Sequence, residues 1–141
     1  MWVSAGLKKV GSLPTAGAAL GLKNHEALEA VLKGYATRDD IDVLIAAFNM
    51  AEGLYHINPK LGLDWAKEIR DAQDAILSMS RRGLEVGKFL FTGAEMVAVR
   101  LAMDVHDQQI DDCSVREMEQ AIQYVADRIR NKHARSIVEP A

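Results

Sequence analysis

The sequence predicts an all-α protein: a single-domain bundle of about five amphipathic helices behind a loosely ordered N-terminal arm. Three observations carry this. Apolar residues recur at three- and four-residue spacing through most of the chain, which lines them along helical faces. No proline stands between Pro59 and Pro140, so nothing in that stretch removes a helical N–H or clashes with the preceding turn. Aromatic residues make up only 6% of the chain, so the core must be built mainly from Ala, Leu, Ile, Val and Met. That composition suits helix packing better than sheets. With 141 residues, the chain fits one domain that needs neither metal nor disulfide to fold.

The expected organisation is an arm over 1–23, a bundle over 24–135 and a tail over 136–141. The arm is rich in small residues and glycine and contains Pro14. Such segments order weakly, with at most a helical turn around Ala16–Leu20. The first helix is expected over His25–Tyr35. Asn24 would cap it, Glu26 would sit at the positive end of its dipole, and Leu28, Val31, Leu32 and Tyr35 would form its apolar face. The second starts after Thr37, which stands at capping-box spacing from Asp40. Ile41, Leu44, Ile45, Phe48 and Tyr55 follow its period, and Asn58-Pro59 ends it. The third covers Gly62–Arg82, with Gly83 as its stop. Its buried stripe is Trp65, Ala66, Ile69, Ala72, Ile76 and Leu77. Leu84–Phe91 reads as an apolar connector, because no second strand exists for it to pair with. The fourth helix opens at Thr92, with Glu95 at the reciprocal capping position, and buries Val99, Ala102, Met103, His106 and Ile110. The fifth opens at Ser114 with Glu117 in the same role. Val115, Met118, Ala121, Ile122, Val125 and Ile129 form its stripe.

Charge and cysteine usage exclude several functions. Seventeen basic residues against twenty acidic ones leave a net charge of −3, which exerts no global pull on nucleic acid. The single cysteine, Cys113, cannot form an internal disulfide. Asp111 and Asp112 beside it disfavour a thiolate, so it reads as a structural thiol. No apolar run approaches the roughly 20 residues that span a bilayer. Gly11, Ser12, Pro14, Thr15 and Gly17 interrupt the stretch after Lys8 and Lys9, so a signal peptide is not expected and the cytoplasm is.

Candidate chemistry reduces to a few polar residues. His106-Asp107, with His56 and Asp127, has the residue types of a metal phosphohydrolase. However, His106 falls on the apolar stripe and Asp107 about 100° away. Glu52 and His56 share a helical face four residues apart, whereas di-iron bundles use Glu-x-x-His supplied twice. A metal-dependent hydrolase at Glu52, His56, His106 and Asp107 is therefore only an alternative reading. No cofactor and no metal are expected. Glu52, Gln73 and His106 each interrupt an apolar stripe on a different helix and are expected to form a buried polar network. Gly83-Leu-Glu-Val-Gly-Lys-Phe89 lacks the spacing and the Ser or Thr of a phosphate-binding loop. Arg128, Arg130, Lys132, His133 and Arg135 crowd the last helical end. They complement its dipole or, in a second alternative, contact nucleic-acid phosphates through the arginines and Lys132.

Gly87-Lys-Phe-Leu-Phe-Thr-Gly-Ala-Glu95, Ala102-Met-Asp-Val-His-Asp-Gln-Gln-Ile110 and Ala72-Gln-Asp-Ala75 resemble short helical proteins encoded in prophages and other mobile elements of proteobacteria. The likeness covers roughly residues 24–135 and carries over no functional residue. It implies a regulator or inhibitor that binds a host protein. The expected function is accordingly non-enzymatic: a protein–protein interaction module, homodimeric, with a host or phage protein as partner and no membrane. Leu84, Val86, Phe89, Leu90 and Phe91 are its expected contact surface, because large exposed apolar patches mark interfaces.

Overall fold

The computed structural model describes residues 16–131, with side chains described from residue 19. The arm before Ala16 and the tail, with Lys132, His133 and Arg135, lie outside the described residues. Five α-helices are found among the described residues: α1 (Ala16–Lys33), α2 (Arg38–Ile57), α3 (Ala66–Val86), α4 (Gly93–Asp112) and α5 (Val115–Arg130). A 3-10 turn, Leu63–Trp65, leads into α3. The expected all-α bundle is what forms.

The three capping boxes, at Thr37, Thr92 and Ser114, form where the sequence places them. The Asp40 carboxylate accepts the Thr37 N–H at 2.8 Å. Glu95 accepts the Thr92 N–H at 2.8 Å and its own N–H donates to the Thr92 hydroxyl at 3.2 Å. Glu117 and Ser114 do the same at 2.8 and 3.1 Å. Each box satisfies donors that a helix start otherwise leaves open. Glu95 also accepts from both terminal guanidinium nitrogens of Arg82, which ties the start of α4 to the last turns of α3. These donors hold the Glu95 carboxyl below its ordinary range, against the opposing effect of burial.

Four boundaries differ from expectation. α1 begins nine residues before His25, so Asn24 lies inside the helix and does not cap it. Ala and Leu upstream are strong helix formers, and Asn24, Ala27, Leu28 and Val31 lie on one buried face. α1 also ends earlier, at Lys33. Gly34 takes the left-handed conformation (φ 82°), and the N–H groups of Gly34 and Tyr35 close on Val31 O and Ala30 O at 3.1 and 3.0 Å. That is a Schellman stop, and it turns Tyr35 out to 62% exposure instead of onto the apolar face. α3 starts later, at Ala66, which leaves Trp65 in the 3-10 turn and largely exposed. It runs through Gly83 to Val86, and Gly87 (φ 88°) is its left-handed stop. The connector is therefore Gly87–Thr92, not 84–91.

α2 is the central helix, packed against α1, α3, α4 and α5. Its buried residues extend beyond the single expected stripe to Ala47, Ala51, Gly53 and Leu54. The main core joins Leu28 and Val31 of α1, Ile41, Leu44 and Phe48 of α2, Ile76 and Met79 of α3, and Val99 and Met103 of α4. A second cluster joins Leu54, Leu61, Ile110, Cys113, Met118 and Ala121 where α5 returns onto α2. A methyl group at Gly53 would sit 3.2 Å from Ala121 O, so the missing side chain lets α5 approach. The α5 stripe is only partly covered. Met118 and Ala121 are buried, whereas Ile122 and Ile129 are exposed.

Candidate functional site

Two polar networks are built on α2, where the sequence suggests one. Glu52 anchors the first. Its Oε1 accepts from Gln73 Nε2 at 3.0 Å, and its Oε2 pairs with Arg128 Nη1 at 3.1 Å. Gln73 Nε2 also lies 3.3 Å from Phe48 O and from Asn49 Oδ1. Arg128 donates to the Tyr124 hydroxyl at 2.6 Å, and the Tyr124 ring stacks on His56. The largely buried carboxylate thus ties α2 to α3 and α5 and is neutralised locally. The Tyr55 phenol lies beside this group. Burial pushes its pKa up, and the Glu52 charge adds to the effect.

His106 belongs to the second network, not to the first. Its Nδ1 lies 2.8 Å from Gln109 Oε1. Gln109 Nε2 reaches Ala51 O at 3.0 Å and Leu61 O at 2.6 Å. Both oxygens can only accept, so both Nε2 hydrogens are committed to them. Gln109 Oε1 is then an acceptor, and His106 must present N–H at Nδ1. Its imidazole is 2% exposed. Burial holds the pKa below the usual histidine range, against the Gln109 hydrogen bond and the Asp107 charge. A neutral ring with hydrogen on Nδ1 keeps a lone pair on Nε2.

Gln109 is the member that sequence reasoning misses. One signal was available: it stands three residues after His106, on the same helical face. Gly62 makes room for it. A Cβ there would approach Gln109 Nε2 to 3.0 Å, and its φ of 98° suits glycine.

The His106 titration has a consequence for stability. Because its folded pKa is lowered, the unfolded chain takes up the proton first as pH falls. The contribution is complete above about pH 6.5 and erodes below it, by up to about 1.4 kcal/mol per pH unit. Urea unfolding between pH 7 and 5 should show wild type losing stability that His106→Gln does not lose. Parallel pH profiles would contradict the assignment.

His106 also lines a cavity of about 200 Å³ among α1, α2, α4 and α5. Its walls are mostly apolar, with Met50, Ile110, Met118 and Ile122 among them, and Asn24 is a second buried polar member.

The four residues of the hydrolase alternative are not assembled. Glu52 is engaged by Gln73 and Arg128, His106 by Gln109, and Asp107 pairs on the surface with His25 Nε2 at 2.7 Å. His56 stands 4.0 Å from Glu52. No group of three or more His, Cys, Asp or Glu able to hold a metal occurs among the described residues. In the basic segment, Arg128 is held by Glu52 and Tyr124, and Arg130 donates to Asp127 at 2.7 Å. Cys113 is fully buried, in keeping with a structural thiol.

The expected contact surface divides in two. Phe89 is buried in the main core and Phe91 packs partly against it. Leu84, Val86 and Leu90 are exposed, as are Val97 and Leu101 on α4. No helix among the described residues is long and apolar enough to cross a membrane. Comparison with protein-family models, with curated proteins and with solved structures gives no match.

Proposed function

We propose that this protein is a non-enzymatic helical interaction module that forms a homodimer and acts on a host or phage protein in the bacterial cytoplasm. The supporting observation is the number of exposed apolar residues on α3, on α4 and in the connector between them. Val86 and Val97 are 73% and 66% exposed, and Leu84, Leu90 and Leu101 are also open. Leu84 and Val86 lie in the last turn of α3, Leu90 in the connector, and Val97 and Leu101 one turn apart on α4. Large exposed apolar side chains of this kind favour association.

A second copy of the chain fits this surface best. Its exposed charges are of both signs, with Arg81 and Lys88 within one helical turn's spacing of Glu85 in the chain. A twofold axis through such a surface can set opposite charges against each other. The regulatory role rests on the resemblance to prophage and mobile-element proteins, whose small members act by binding.

Light scattering at micromolar concentration should give the mass of a dimer for wild type and of a monomer for Val86→Glu/Val97→Glu. Both changes are at exposed positions, so circular dichroism should be unchanged. A monomeric wild type, or a dimer that survives the double change, removes the homodimer.

A further inference from the structure

We propose that the cavity among α1, α2, α4 and α5 is a binding site for a small, largely apolar molecule carrying one hydroxyl group, such as a phenol or a short alcohol. The cavity holds about 200 Å³. It is open to solvent beside Leu20 and Ile122, and its space exceeds the roughly 150 Å³ that takes benzene in a closed apolar core. Met50, Ile110, Met118 and Ile122 supply walls that favour a hydrocarbon body.

The polar specificity comes from His106. Gln109 takes Nδ1–H, and both hydrogens of the Gln109 amide are spent on Ala51 O and Leu61 O. This leaves Nε2 as a lone-pair acceptor that bonds to no described residue. No side-chain nitrogen or oxygen cut off from solvent lacks a partner among the described residues. Nε2 therefore keeps a trace of accessible surface, and the ring that carries it lines the cavity. Asn24 is 6% exposed and lines the same cavity, and its side chain likewise makes no hydrogen bond to a described residue.

Two polar side chains that are only 2% and 6% exposed thus keep hydrogen-bonding atoms within reach of water beside one apolar cavity, where a ligand group can take the water's place. A hydroxyl matches both. It can donate to the imidazole lone pair and accept from an amide N–H. A carboxylate matches neither the lone pair nor the apolar walls.

The test is a pair of probes of nearly equal shape, p-cresol and p-xylene, titrated into the full-length chain and followed by amide and imidazole nitrogen NMR. p-Cresol should give saturable shifts at the lining residues and move the His106 Nε2 resonance. It should bind at least about fivefold more tightly than p-xylene, the ratio one ordinary hydrogen bond gives. Ala46 lines the cavity from an exposed position, so Ala46→Phe should fill the space without unfolding the bundle and abolish the response. Three results would each overturn the proposal: no saturable shift at millimolar p-cresol, equal affinity for p-xylene, or undiminished binding by a folded Ala46→Phe variant.

Discussion

Replacing Phe89 by alanine should lower the free energy of unfolding by about 3–5 kcal/mol, the range for an aromatic ring removed from a packed core. The ring lies in the main core although its backbone belongs to an irregular connector. It packs directly on Gly83 of α3. A methyl group there would overlap Phe89 Cδ1 and come within 2.8 Å of Cε1. Gly83→Ala should therefore cost about 1–3 kcal/mol through overpacking, even though alanine is the better helix former by about 1 kcal/mol. The two effects separate in a double-mutant cycle. Once the ring is gone the methyl has room, so Gly83→Ala should become neutral or stabilising in the Phe89→Ala background. Urea unfolding of the four proteins measures this. An equal cost of Gly83→Ala in both backgrounds would show that the ring does not occupy the space above residue 83. The same geometry governs how self-association is probed: a charge at Phe89 attacks the fold, whereas charges at Val86 and Val97 leave it intact.

Gln109→Leu is expected to cost about 2–6 kcal/mol, although leucine is close in size and apolar. Three hydrogen bonds are lost, to His106 Nδ1, Ala51 O and Leu61 O. At least two groups, the His106 N–H and Leu61 O, are then buried without a partner, at about 1–3 kcal/mol each. Ala51 O sits in the middle of α2 and keeps a helical partner, so its loss adds little. Denaturant unfolding gives the magnitude. Nitrogen NMR gives a second readout, because nothing then holds the proton on Nδ1 and the Nε2-H tautomer should become populated. A change below about 0.5 kcal/mol with the tautomer retained would show that the amide is not the centre of the network.

The starts of α2, α4 and α5 were legible in the chain because capping is local. Thr37 with Asp40, Thr92 with Glu95, and Ser114 with Glu117 each close within three residues. The stripe of α4 was legible too, and Val99, Ala102, Met103, His106 and Ile110 are all buried. Other readings failed where a local signal was overruled. Asn24 has the chemistry of a cap, but α1 runs through it, since the upstream Ala and Leu residues also favour helix. Gly83 has the chemistry of a stop, but its missing side chain is used to seat Phe89 inside a continuing helix.

By itself, then, the sequence determined the all-α class, the helix count and the local signals that open three helices. These depend on period and on hydrogen bonds spanning a single turn. Only the tertiary structure decided which helix is central, how far the α5 stripe is covered, and what becomes of His106. Gln109 bonds to carbonyls 58 and 48 residues away in the chain, and no spacing rule reaches that far. Whether an apolar stripe is core or surface depends on a neighbour arriving, as Ile122 and Ile129 show. The unused lone pair of His106 follows from the same long-range contacts, because Ala51 O and Leu61 O orient the amide that sets its tautomer.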